Sequence, residues 1–265
     1  MKGEKALLVV VTIIISTLFV TFTHNALVSL PSEEIMDGPV QETTIIFTFE
    51  KERYSVTASI PEGRLEAYEK IPISRFGFFH AYRFPTPSDP VVIDVASQLS
   101  ALSVDMTDQQ RVNFVLRYTQ AFYYVEDTAS HNIREYFQFP IETLHLRSGD
   151  CEDLAILYVS LMRALGYDAV MLLGPHHMAA GVAIEGLSGH YVARGGVNYY
   201  TAEPTTSQAV GKMPADDLIA FVDSPLLSML LTALMGSFFV LMIKEIKYPN
   251  PKHQIHIGKL VWRSA

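Results

Sequence analysis

The chain has 265 residues, of which 49% are hydrophobic and 18% charged, and a formal net charge of −8. That length exceeds a disulfide-stapled miniprotein and suits one sizeable domain with appendages, while a lone cysteine excludes an internal disulfide framework and any site built from several thiolates. The acidic balance argues against a nucleic-acid partner, which needs a basic face, and a mean hydropathy of +0.20 points to membrane segments.

The first element is apolar. No Asp, Glu, Lys or Arg occurs from Ala6 to Ser32, and Ala6 to Phe22 is almost all Leu, Val, Ile, Phe and Thr. A bilayer span needs roughly 20 apolar residues, so residues 1–23 read as an N-terminal transmembrane anchor. A cleaved signal peptide is the alternative, for which THNALVSLP is a poor cleavage site. Residues 24–42 are mixed and polar and read as a tether. Residues 43–60 alternate: Ile45, Phe47 and Phe49 share one face, Tyr54, Val56, Ala58 and Ile60 share one face of the next run, and EKER between them marks a hairpin. Residues 43–89 are therefore read as a β-rich N-terminal region, although 61–89, with four prolines, shows no assignable period.

Helices are predicted over 90–104 and 107–124, the second opened by Thr107 and Gln110 at capping-box spacing. Next comes EYFQFPIETLHLRSGDCEDLAILYVSLMRALGYDAV. Pro140 and Gly149 bracket a loop. A helix is predicted from Cys151 to Leu165, with Asp150 as N-cap, Asp153 three residues on and Gly166 beyond its end. It is apolar nearly all round, which places it in the core. Strands follow at Ala169–Leu173, Met178–Glu185 and Val197–Glu203, with a short edge at 190–194. A helix followed by antiparallel strands on short turns gives an α+β fold, here assigned to residues 90–215. A second uncharged run, Ser224 to Ile243, closed by Lys244, predicts a transmembrane helix over 224–243, and 244–265 form a basic tail.

Charge supplies an orientation. Seven of the 20 basic residues but two of the 28 acidic ones lie outside the spans, which leaves a net charge of −13 between them. Lys and Arg beside a span favour the cytoplasm. The expectation is a two-span plasma-membrane protein with both termini cytoplasmic and the central domain outside.

Cys151 sits at the predicted start of the core helix, where unpaired backbone N–H groups and the helix dipole favour a thiolate. Asp150, Glu152 and Asp153 oppose it, since carboxylates raise a thiol pKa, so a neighbouring imidazolium is needed. His177, 26 residues downstream, opens a predicted strand; Glu203, 26 residues further, ends the next, in YYTAEPT. Antiparallel neighbours bring the start of one strand beside the end of the other, and a thiol, a base and an orienting acid are the parts of nucleophilic catalysis. Spacing alone does not single out this triple among nine histidines, and a lone cysteine also suits a core as a small hydrophobe. A metal set of Cys151, His176 and His177 is a rival, but adjacent strand residues face opposite ways. Calcium on Asp150, Glu152 or Asp153 is a softer one, for which capping and surface charge suffice. No metal and no cofactor is expected.

At these residues the sequence resembles a family. PIETLHLRSGDCEDLAILYVSLMRALGYDA is similar to the cysteine segment of transglutaminase-like (papain-like) proteins in P-x-E-T-L, G-D-C-E-D-x-A and L-x-x-L-G-Y. HMAAGVAIEG resembles their histidine strand, YYTAEPT their acidic strand, and TQAFYYVED the segment closing the second of two helices ahead of the cysteine; the likeness covers about residues 90–205. It implies a papain/transglutaminase-like core in which the helix starting at the cysteine packs on an antiparallel sheet. It implies Cys151 as nucleophile, His177 rather than His176 as the histidine because it directly precedes the strand, and Glu203 in place of the usual aspartate. Ala179 stands where many members carry an aromatic. Gln120 is a candidate oxyanion donor beside the Cys151 N–H. The implied activity is acyl transfer on peptide or protein amides, hydrolysis by default and transamidation if water is excluded. A catalytically inactive binding or scaffold module is the alternative.

Overall fold

Alternation of apolar side chains folds the first part of the domain into a hairpin. Strands β1 (Val40–Phe49) and β2 (Glu52–Pro61) pair antiparallel with Phe49 opposite Glu52. Glu50 and Lys51 make the turn at φ +49° and +74°, the left-handed geometry that matches strand twist. Ile45, Phe47, Val56, Ala58 and Ile60 are buried together on one face. The computed structural model describes residues 30–32, 34–73, 75, 81–130, 136–174, 177–213 and 220–222. Both predicted spans, 1–23 and 224–243, and the basic tail lie outside these residues; among the described residues no helix is long and apolar enough to cross a membrane.

Beyond Pro61 the chain leaves β structure. Helix α1 (Glu62–Glu69) buries Arg64, whose Nε and a terminal nitrogen donate to one oxygen of Asp89 at 2.9 and 2.7 Å. The Tyr68 hydroxyl donates to that oxygen at 2.7 Å. The other oxygen of Asp89 accepts the N–H groups of Val91 and Val92 at 2.8 and 3.4 Å, capping α2 (Pro90–Leu102). A buried charge is tolerated when it is paired and hydrogen-bonded, so this segment is ordered by a polar knot and not by an apolar stripe.

Helix α3 (Asp108–Thr119) opens with a capping box: Thr107 N–H donates to Gln110 Oε1 at 3.1 Å and Gln110 N–H to Thr107 Oγ1 at 3.3 Å. It ends five residues before the expected Tyr124 because the chain turns into strand β3 (Tyr123–Tyr124). A single turn, α4 (Asp127–Ser130), leads towards α5 (Pro140–Leu146). The stretch after Pro140, expected to be a loop, is helical, with proline in its first turn and Glu142 accepting the Phe139 N–H at 2.7 Å. Arg147, at φ +57°, ends it. Strand β4 (Ser148–Gly149) then runs parallel to β3, Tyr124 opposite Gly149.

Helix α6 (Cys151–Ala164) is the axis of the core. Leu154 is 1% exposed and Ala155, Ile156, Leu157, Tyr158, Val159, Leu161 and Met162 are 0% exposed. Each large aliphatic so buried stabilises the fold by about 1.5–3 kcal/mol. α2, α3 and α5 pack on it from one side, β5 (Ala169–Leu173) and β6 (Met178–Ala183) from the other. These strands belong to an antiparallel sheet with β7 (Tyr191–Arg194), β8 (Val197–Ala202) and β9 (Ala220–Phe221), in the order β7-β8-β6-β5-β9.

Candidate active site

The N-terminus of α6 is built by close packing. Asp150 caps the helix, and Asp153 answers with Oδ2 accepting the Asp150 N–H at 3.3 Å and Oδ1 accepting the Gln138 N–H at 2.7 Å. Gly149 lies so close that an added Cβ would stand 2.5 Å from the Asp153 Cβ. Cys151 is the first residue of the helix and remains partly exposed. Its sulfur meets the backbone N–H of Met178, the first residue of β6.

His177 immediately precedes that strand, and the turn ahead of it is closed by Gly174 N–H donating to His177 O at 2.8 Å. In the β6–β8 pairing Ala180 lies opposite Ala202, so residues just before β6 run alongside residues just after β8. There Glu203 Oε2 lies 2.5 Å from His177 Nε2. Glu203 is buried, and its Oε1 accepts from the N–H and hydroxyl of Thr205 at 2.9 and 2.6 Å. The structure thus places His177 against Glu203, and the Cys151 sulfur against the peptide group that follows His177.

The electrostatics differ across the site. Burial and the adjacent Glu152 carboxylate push the Cys151 thiol well above its ordinary value, with the Met178 N–H pulling the other way. The thiol donates to Glu152 Oε2 at 3.1 Å, a bond that favours its protonated form. The hydrogen bond to Glu203 raises the His177 pKa against its partial burial. Burial works against the Glu203 charge, but the bonds from His177 and Thr205 outweigh it and hold the carboxyl below its ordinary range.

Two side chains change the picture drawn from sequence. Gln120, the candidate oxyanion donor, has its amide nitrogen engaged elsewhere: it donates to Glu203 O at 2.9 Å and Gln208 O at 2.8 Å. Both of its N–H groups are used within the fold, whereas the Cys151 backbone N–H, at a helix start, has no intrahelical acceptor. Tyr124, not singled out by sequence, is brought beside Cys151 by the β3–β4 pairing. Burial first, and then the acidic groups around it, push its hydroxyl up to about 12. The signal for it is weak: an exposed aromatic in a two-residue strand.

Asp150, Cys151 and Glu152 offer ligand atoms within 4.8 Å of one another, a gathering that the helix cap and the thiol–Glu152 bond explain. His176 lies outside the described residues, and His177 has committed Nε2 to Glu203, so the rival set of Cys151, His176 and His177 draws no support from the geometry.

The family model of the transglutaminase-like superfamily matches residues 100–199. The match includes Cys151 and His177 and stops four residues short of Glu203. No curated protein matches the chain. Among solved structures, a proposed cysteine protease from Cytophaga hutchinsonii is similar at 15% identity, covering 74% of this chain and 72% of that chain with a TM-score of 0.35.

Proposed function

We propose, from the match of residues 100–199 to the family model of the transglutaminase-like superfamily, that the chain is a cysteine-dependent acyl-transfer enzyme acting on peptide or protein amides, chiefly by hydrolysis. Cys151 is the nucleophile, His177 carries the proton and Glu203 orients the imidazole. The observation that carries this reading is the 2.5 Å bond between His177 and Glu203 at the strand end that meets the sulfur. With Nε2–H donated to the carboxylate, the lone pair of the neutral ring is on Nδ1, which is left to accept the thiol proton. The sulfur then attacks the amide carbonyl, and the oxyanion is stabilised by the helix N-terminus and the Cys151 N–H. His177 returns the proton to the leaving nitrogen as the C–N bond breaks. The thioester is opened by water, whose proton His177 takes, and the thiol is restored. An amine in place of water gives transamidation; no side chain described above excludes water, which favours hydrolysis.

The domain over 90–215 is placed by this reading outside the plasma membrane, held by spans at 1–23 and 224–243 with both termini cytoplasmic. What supports it is the excess of Lys and Arg at the two ends against the acidic middle. Protease shaving of intact cells tests it: the central domain is cut and the basic tail is protected, and the reverse pattern refutes the orientation.

One observation favours a second reading, a binding module that has lost catalysis: the hydrogen bond between the thiol and Glu152. Hydrolysis of a quenched peptide library by the wild type and by Cys151→Ala separates the two. The variant should lose all activity at an unchanged melting temperature. Equal turnover by both proteins, or none by the wild type, ends the enzyme reading.

A further inference from the structure

Glu203 lies one residue past the end of β8, on a loop, and the loop must be fixed for its carboxylate to meet a ring on the neighbouring strand. Within the loop, Thr205 holds Oε1 through its N–H and hydroxyl at 2.9 and 2.6 Å. That leaves the backbone itself to be held. Gln120, the residue that ends α3, supplies this from 83 residues away: its amide nitrogen donates to Glu203 O at 2.9 Å and to Gln208 O at 2.8 Å. The two carbonyls lie at either end of the 203–208 loop, so one amide group closes it like a staple. The amide is itself oriented, because Arg117, one turn back on α3, donates to Gln120 Oε1 at 3.0 Å. The same face of α3 holds the continuation of the loop, where Asn113 Oδ1 accepts the Val210 N–H at 2.8 Å.

We infer that Gln120, oriented by Arg117, is the positioning residue that sets the Glu203 carboxylate against His177. This rests on the Cys151–His177–Glu203 reading proposed above and adds a part to it. Gln120 touches no reacting atom. It acts through the backbone of the acid, so its loss should change the behaviour of the imidazole and not merely the amount of folded protein. A loop freed at both carbonyls lets the carboxylate drift from the ring, and small misplacements of a catalytic group are costly.

The test uses the full-length protein and iodoacetamide as the probe of Cys151, with the alkylation rate followed against pH. In the wild type the rate rises along a limb set by deprotonation of His177, and His177→Ala removes that limb. Gln120→Met keeps the length and packing of the stem but has no N–H. In it the limb should move to lower pH, because the bond that raises the imidazole pKa is loosened, and the plateau should fall about tenfold, the rate equivalent of one hydrogen bond. Gln120→Ala should match Gln120→Met, since a packing role would separate the two. An unmoved limb in a folded Gln120→Met protein overturns the inference while leaving the catalytic reading intact. A wild-type profile that His177→Ala does not alter overturns the catalytic reading instead. If the Gln120 variants do not fold, Arg117→Met decides: a limb moved in the same direction by less supports the staple, and an unmoved limb refutes it.

Discussion

The two ends of the site are built in opposite ways. At the acid end every oxygen of Glu203 is occupied: Oε2 by His177, Oε1 twice by Thr205, and the backbone carbonyl by Gln120. At the thiol end Cys151 has one side-chain partner among the described hydrogen bonds, the Glu152 carboxylate, which stabilises the protonated form. In the proposed roles the base is therefore preorganised and the nucleophile is not. Under that proposal the charged pair forms only when the thiol proton is displaced towards His177. Preorganised groups aimed at developing charge are where rate enhancement comes from, and here they are concentrated on the side of the imidazolium.

The largest effect expected from breaking this arrangement is at the base. His177→Ala should lower peptide hydrolysis by on the order of 10³–10⁴-fold, with a much smaller loss of stability as the buried Glu203 carboxylate loses its ring partner. Residual turnover near the wild-type level would mean that the thiol end works alone, and the contrast between the two ends would collapse.

Next in size is the packing beneath the thiol. Gly149→Ala places a methyl group 2.5 Å from the Asp153 Cβ, an atom rooted in the helix backbone that cannot swing aside. Overpacking of a tight interior costs roughly 1–3 kcal/mol, to be read by denaturant unfolding. If the variant is as stable as the wild type, the helix start has slack, and the thiol end is softer than its geometry implies.

Glu152→Gln sharpens the comparison from the other side. Removing the carboxylate charge while keeping the size of the side chain takes away one of the causes that hold the thiol neutral. Alkylation of Cys151 by iodoacetamide at fixed pH should become about tenfold faster, the equivalent of one hydrogen bond to a charged group. A slower reaction would show that Glu152 assists the thiolate and does not restrain it.

How much of this is legible in the sequence depends on range. The start of α6 at Cys151, the capping box at Thr107, the hairpin faces and the strand Ala169–Leu173 all follow from periods and caps that span a few residues. Helix α1 escapes because its buried face is polar: Arg64 is inside only because Asp89, 25 residues away, is there to meet it. Helix α5 escapes because a short run after a proline reads equally as a loop until Glu142 is seen capping it. At the site, sequence and family resemblance draw attention to Cys151, His177 and Glu203, but give Gln120 the wrong partner, since nothing local records a bond across 83 residues. Nor do they show that Glu152 accepts a hydrogen bond from the thiol, which is a matter of side-chain direction at the first turn of a helix.

The smallest effect belongs to the acid end and concerns stability. His177 has a raised pKa in the folded state, so its contribution is fully present below its unfolded value, 6.5, and is lost as pH climbs through the folded value. Glu203 has a lowered pKa, so its contribution is present above its unfolded value, 4.5, and is lost as pH falls through the folded value. The two shifts describe one pair and are not added. Together they confine its stabilisation to a window whose centre lies between 4.5 and 6.5. The difference in unfolding free energy between wild type and Glu203→Gln, measured against pH, should therefore be greatest inside that window and shrink on both sides. A difference that does not shrink above neutral pH would mean that the imidazole is neutral in the folded protein across that range. The carboxylate would then be serving as a hydrogen-bond acceptor for a neutral ring, and the acid end would be no more charged at rest than the thiol end.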